Sequence, residues 1–226
     1  AVYTTLTQVA AKSQRRLTTS LQTQSDRGKL EEITSFWIFN GFSAQAEAET
    51  IFALASAPEV KFVYLDGEVE ILDEGQVALD EIQTLREVGW NTRAEKGFAS
   101  SVSAIEWGVA RIQAERVWNE LGYTGRGVVV GGIDTGVLWT HNALKNQYRG
   151  WNGVAVDHTY SFADCVDMPC TTVSPYDDNS HGTHTMGIIV GDDDGVNQIG
   201  VAPGARWIAA KAFRANGSGS DSDILN

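Results

Sequence analysis

One stretch of the chain constrains its fold class more than any other. It is the short, continuous, β-branched run Gly127-Val128-Val129-Val130-Gly131-Gly132-Ile133, which ends on Asp134-Thr135-Gly136. A run without polar alternation predicts a strand buried on both faces of a parallel sheet, because alternation would mark a wetted face. Asp134 then stands at the carboxyl end of that strand, where open α/β sheets collect their functional groups. The second motif is Asn179-Ser180-His181-Gly182-Thr183-His184. Residues His181 to Ile189 are expected to be helical, with Asn179 or Ser180 as N-cap and Met186, Ile188 and Ile189 buried. His181 falls in the first turn, beside Asp134 if the helix packs over the strand ends.

A buried carboxylate that accepts the Nδ1 proton of an imidazole fixes its tautomer and stabilises its charged form, leaving the other nitrogen free to act as a base. Such a pair needs a hydroxyl to activate, and no third motif in the 226 residues carries that nucleophile. Other chemistries fit less well. Asp-Thr-Gly also occurs in aspartic peptidases, where two carboxylates share one proton, but the chain has no second Asp-Thr-Gly or Asp-Ser-Gly. His181 and His184 have the spacing of metal ligands, yet nothing nearby is spaced to supply the third ligand that zinc requires.

These residues closely resemble the motifs of the subtilisin-like serine peptidases. The aspartate motif is similar to Asp134-Thr135-Gly136 and the histidine motif to His181-Gly182-Thr183-His184. Gly200-Val201-Ala202-Pro203, Lys211 and Gly217-Ser218-Gly219 extend the match. From about Ala104 onward the chain is most similar to the bacillopeptidase F-type branch, through Ile105-Glu106-Trp107-Gly108-Val109 and Val117-Trp118. The resemblance implies a parallel-sheet α/β catalytic domain in which Asp134 orients, His181 is the general base, and Gly217, Ser218 and Gly219 form an edge that pairs with a substrate backbone. Main-chain pairing of that kind admits varied sequences. The family's nucleophilic serine, in a Gly-Thr-Ser-Met-Ala-like motif, and its oxyanion-hole asparagine are expected beyond Asn226.

The first hundred residues differ in texture. Val2, Leu6, Val9, Ala10, Leu17 and Leu21 are spaced as one face of an amphipathic helix. Ile33 to Phe39 reads as a strand, Asn40-Gly41 as a hairpin turn, Phe42 to Ala46 as the return strand, Glu47 to Ala55 as a second helix and Val60 to Leu65 as a further strand. One more strand before Val2 would complete the ferredoxin-like βαββαβ order. That order, with Phe36-Trp37-Ile38-Phe39-Asn40-Gly41-Phe42-Ser43-Ala44, resembles the propeptide of subtilisin-like enzymes, which assists folding and then inhibits until it is cut away. The expected organisation is an α+β propeptide at 1–73, an acidic linker at 74–103 and the first part of the peptidase domain at 104–226. Asp66 to Glu87 holds eight acidic side chains and one basic, with a helix expected over Val77 to Val88. Self-cleavage is expected between Gly97 and Ile105, where small residues favour nicking.

The net charge of −12 is spread evenly, with 15 acidic and 9 basic residues in 1–103 and 14 and 8 in 104–226. Such a balance excludes a basic nucleic-acid footprint. No run approaches the roughly 18 apolar residues of a membrane span. Cys165 and Cys170 could close a small disulfide loop in an exported protein, or remain thiols or half of a metal site. Asp192 and Asp194, in Asp192-Asp193-Asp194-Gly195, are calcium candidates or a solvated turn. The aspartate ligand that the family usually carries nine residues past the catalytic aspartate is Ala143 here. The chain is therefore expected to be a truncated zymogen segment of a secreted serine endopeptidase acting on proteins or peptides. The propeptide is its intramolecular partner, and the chemistry requires no cofactor. A non-catalytic peptide binder, or an inhibitor and folding chaperone acting in trans, is the alternative.

Overall fold

The computed structural model describes residues 2–71, 104–167, 169–195 and 197–225. The boundary at 73, the linker 74–103, its expected helix and nearly all of the expected processing segment lie outside the described residues. The chain divides into two compact units, one comprising 1–68, 167–170 and 220–226, the other 69–166 and 171–219. No helix among the described residues is long and apolar enough to cross a membrane.

The first unit opens with helix α1 (Val2–Ser25), followed by strands β1 (Leu30–Phe36) and β2 (Gly41–Ala46) and helix α2 (Ala48–Ala55). β1 and β2 pair antiparallel around residues 37–40, with Asn40 in the left-handed region at φ 57°. The hairpin turn expected at Asn40-Gly41 is therefore present, although β1 begins and ends three residues before the expected strand. The α1 face turned inward is Ala10, Gln14 and Leu21, while Leu6 and Val9 are exposed. Gln14 is tolerated in this face because its amide is satisfied. Nε2 donates to the Phe36 carbonyl at 2.7 Å, and Oε1 accepts from Ser35 Oγ at 2.7 Å. Val60 to Leu65 is not a strand. Among the described residues the segment finds no pairing partner; it leaves Phe62, Val63, Tyr64 and Leu65 exposed and is followed by the short strand β3 (Glu68–Glu70).

The second unit takes in Val69 to Ile71, which include the end of β3, and continues with β4 (Ala104–Ile105), helices α3 (Trp107–Arg111) and α4 (Ala114–Arg116), and a π-helical turn (Val117–Leu121). Its centre is a parallel sheet of β5 (Val129–Asp134), β6 (Phe162–Asp164) and β8 (Arg206–Lys211), in the order β5-β8-β6. Helix α5 (His181–Val190) packs against β5 and β8. β7 (Asn197–Gln198) pairs with β4, and β9 (Ser218–Ser220) with β3. The outcome is a mixed α/β architecture with a parallel sheet.

Two burial expectations fail for one reason: burial is set by neighbours as well as by pattern. Among the described residues β5 is an edge strand of this sheet, with Val129 and Ile133 exposed and Val130 and Gly132 only half-buried, so neither of its faces is fully buried. In α5 the inward residues are Gly182, Met186 and Val190, spaced four apart on one face, while Ile188 turns outward and is 47% exposed.

The core gathers Val137, Leu144, Tyr148, Phe162, Met186, Val190, Ala205, Trp207 and Ala209. Trp207 is 0% exposed, and its Nε1 donates to the Leu144 carbonyl at 2.8 Å, so the ring fills the core without an orphan N–H. Trp207→Ala is expected to cost about 3–5 kcal/mol in equilibrium denaturation. Trp107→Ala, at a site 78% exposed, should shift the same curve by no more than about 0.5 kcal/mol.

Candidate active site

Asp134 ends β5 and His181 begins α5, so the sheet and the helix each deliver one member of the pair to the same point. His181 Nδ1 lies 2.7 Å from Asp134 Oδ1, with both side chains largely buried. A carboxylate only accepts, so Nδ1 carries the hydrogen and Nε2 is left as the basic nitrogen. Asp134 Oδ1 also accepts its neighbour Thr135 N–H at 2.7 Å, and Oδ2 lies 3.1 Å from the Thr185 hydroxyl. Both oxygens are thus oriented, which holds the plane of the carboxylate toward the imidazole.

The glycines of the two motifs are there for close approach. A Cβ on Gly182 would lie 2.1 Å from the Gly136 carbonyl oxygen and 3.0 Å from Asp134 Cβ. Gly136 itself sits at φ +108°, and a Cβ there would lie 2.0 Å from the Tyr176 carbonyl oxygen. Only glycine lets the first turn of α5 rest directly on the strand end.

Two charged residues frame the pair. Lys211, at the end of β8, is 1% exposed. Its ammonium donates to the Thr135 carbonyl at 2.8 Å, the Phe213 carbonyl at 2.8 Å and Asp178 Oδ1 at 2.7 Å. All three hydrogens are used, which satisfies an otherwise costly buried cation. Asp177 was not singled out in the sequence, where Asp177-Asp178 looks like an ordinary polar loop. Its Oδ1 accepts from Thr135 Oγ1 at 2.9 Å and from the N–H groups of Asn179 at 3.1 Å and Ser180 at 2.9 Å. Its Oδ2 accepts from the Thr183 N–H at 2.8 Å and hydroxyl at 2.6 Å. Ser180 occupies the N-cap position of α5 but makes no side-chain cap bond. The N–H groups around that terminus go to Asp177 and to Asn179, whose Oδ1 accepts from His181 N at 3.2 Å.

The remaining expected residues are placed as follows. Gly217 stands at φ +83° just before β9; Ser218 and Gly219 lie within it and are buried. Asn179 Nδ2 donates to the Ala215 carbonyl at 2.9 Å, which ties the loop ahead of β9 to the segment that carries His181. The edge is occupied: β3 pairs with β9, and within the second unit Ile71 N–H donates to the Gly217 carbonyl at 2.9 Å. Cys165 and Cys170 are both in disulfide form. His184, on the first turn of α5, is exposed.

Asp192 and Asp194 follow the far end of α5, away from His181. Asp192 Oδ1 accepts from Asp194 N, Asp194 Oδ1 from Asn146 Nδ2, and both Asp193 oxygens from Asn197. Their carboxylates are engaged within the turn. Among the described residues no group of three or more His, Cys, Asp or Glu is placed to hold a metal ion.

Burial opposes ionisation of Asp177, yet the hydrogen bonds from Thr183 Oγ1 and the Ser180, Thr183 and Asn179 N–H groups hold its carboxyl below the usual 3.8. The unfolded chain then binds more protons than the folded one in the window between the two values. The stability that Asp177 contributes is complete above pH 3.8 and is lost as pH falls through the folded value. Asp177→Asn should flatten the acid limb of unfolding free energy against pH below 3.8; an unchanged limb would contradict this.

Residues 125–226 match the subtilase family, and residues 4–72 match the peptidase inhibitor I9 family. Over all 226 residues the chain is 38% identical to Bacillopeptidase F of Bacillus subtilis (strain 168), of which it covers 15%. Over 121 residues, 54% of this chain, it is 36% identical to Subtilisin Savinase of Lederbergia lenta, covering 38% of that protein. The same share is 36% identical to Alkaline protease of Alkalihalobacillus alcalophilus, covering 27% of it. The chain thus spans well under half the length of these relatives. Through residues 125–226, which hold Asp134, His181 and the Gly217–Gly219 edge, the chain belongs to the subtilase family of serine peptidases, and ahead of them it carries a peptidase inhibitor I9 domain.

Proposed function

We propose that the chain is a zymogen segment of a secreted subtilisin-like serine endopeptidase, in which residues 1–73 are an α+β propeptide and residues 104–226 begin the peptidase domain. The observation that carries this reading is the 2.7 Å contact between His181 Nδ1 and Asp134 Oδ1, at the meeting of a strand end and a helix start. His181 Nε2 takes the proton of a serine hydroxyl as its oxygen attacks a peptide carbonyl, and the imidazolium is stabilised by Asp134. The tetrahedral intermediate collapses as His181 returns the proton to the leaving amine. Water, activated by the same nitrogen, then resolves the acyl-enzyme. The serine is supplied from sequence outside these 226 residues, and the chemistry calls on no metal or organic cofactor.

Substrate is held as an added strand on the Gly217–Gly219 edge, through main-chain hydrogen bonds that tolerate varied side chains. The pairing of β3 with β9 supports that role, because it is the same mode of contact made by the chain's own segment. It also supports an intramolecular inhibitory partner. Secretion agrees with the disulfide state of both cysteines.

The experiment is to express the reading frame that contains these residues together with the codons that follow Asn226, and to assay peptide hydrolysis. Asp134→Asn should lower kcat by about 10^4-fold, and the 226-residue chain alone should show no inhibitor-sensitive turnover. A stop codon after Asn226, or full activity in Asp134→Asn, would refute the reading.

A further inference from the structure

A second set of hydrogen bonds joins the strand end to the helix through groups that the acid–base pair does not use. Thr135 is 0% exposed, and its hydroxyl works in both directions. It accepts the Gly182 N–H at 3.0 Å and donates to Asp177 Oδ1 at 2.9 Å. Asp177 then holds the backbone on both sides of His181: the N–H groups of Asn179 and Ser180 before it and that of Thr183 after it. The Thr183 hydroxyl, which donates to Asp177 Oδ2, in turn accepts the Leu138 N–H at 2.9 Å and closes the ring onto the segment that follows Asp134. Ser180, immediately before His181, has φ 86° and ψ −13°, a left-handed conformation that a non-glycine residue keeps only where its surroundings over-determine it. Its N–H is one of those bound by Asp177.

The contact with Asp134 selects the tautomer only while the two side chains stay within hydrogen-bond reach, and the imidazole retains torsional freedom about its own Cα. What fixes it is the placement of both backbones. We propose that the Thr135 hydroxyl and the Asp177 carboxylate form a positioning clamp that sets the backbone of His181 against that of Asp134, so that the imidazole is held in one tautomer with Nε2 presented as base. Both are positioning residues and neither touches substrate. The proposal rests on His181 serving as the base of the reaction.

Thr135→Val and Thr135→Ser separate this role from simple packing. Valine keeps the shape and loses the hydroxyl; serine keeps the hydroxyl and loses a methyl group. The first readout is the pair of ring-nitrogen signals of His181 in the 15N-histidine-labelled 226-residue chain, assigned by their loss in His181→Gln. Wild type and Thr135→Ser should show a single neutral tautomer with hydrogen on Nδ1, while Thr135→Val should show an average of both. The second readout is kinetic, in the longer polypeptide. Thr135→Val should lower kcat by about 100-fold with KM unchanged, as expected when a reacting group is displaced by about an ångström, and Thr135→Ser should stay near wild type. If Thr135→Val does not fold, Asp177→Asn gives the same two readouts. A single tautomer and wild-type kcat in the hydroxyl-free variant would overturn the clamp, as would a serine variant impaired as badly as the valine. If the longer polypeptide hydrolyses no peptide whatever stands at position 135, the peptidase reading fails. The tautomer signals still decide the clamp in that case.

Discussion

The candidate site depends on how closely a helix can rest on a strand end. Gly182 stands where any side chain would collide with the Gly136 carbonyl, and Gly136 where any side chain would collide with Tyr176. A glycine inside a helix ordinarily costs about 0.5–1 kcal/mol relative to alanine. Here that cost permits a separation no other residue allows. With the first turn of α5 held at this distance, His181 reaches Asp134 directly at 2.7 Å, and the contact can be short and charge-assisted. Moving the helix outward by the width of a methyl group would leave both motifs intact and the pair apart.

Charge arrangement reinforces the same junction. Lys211 brings a full positive charge into the protein interior, where an unpaired ammonium would be prohibitive. It is paid for by two backbone carbonyls and the carboxylate of Asp178, so the ends of β5 and β8 and the loop before α5 converge on one nitrogen. Asp177 does the converse, collecting donors from the strand end and from the first turn of the helix. Adjacent carboxylates in the chain thus accept from different donors, Asp178 from the Lys211 ammonium and Asp177 from a set of N–H and O–H groups.

Much of this was legible in the sequence, and the failures share a cause. Asp134 and His181 could be named because their motifs combine a chemistry-bearing residue with glycines that make sense only in a tight junction. Asp177 could not, because a carboxylate in a polar loop looks the same whether it faces water or five donors. Val60 to Leu65 has strand composition but pairs with no neighbour among the described residues, and extended backbone becomes a strand only through its partner. Val129 and Ile133 have core composition but lie on an open face of an edge strand. The α5 register was misjudged at Ile188 because the inward face is set by Gly182, the residue that contributes least to hydrophobicity. Pattern reports what a residue prefers, whereas burial and pairing also depend on what stands opposite.

The pairing of Glu68–Glu70 with Ser218–Ser220 has a consequence for any measurement of peptide binding. A strand tethered to the same chain competes as a local concentration, fixed by its tether, rather than as a solute that can be diluted away. If the edge takes peptides as proposed, a free peptide displaces the resident strand only when its concentration relative to its own Kd exceeds the tethered strand's local concentration relative to that strand's Kd. On the proposed reading, an affinity titrated on this chain would report the exchange of one strand for another and would understate the affinity of the same edge once residues 68–71 had been removed.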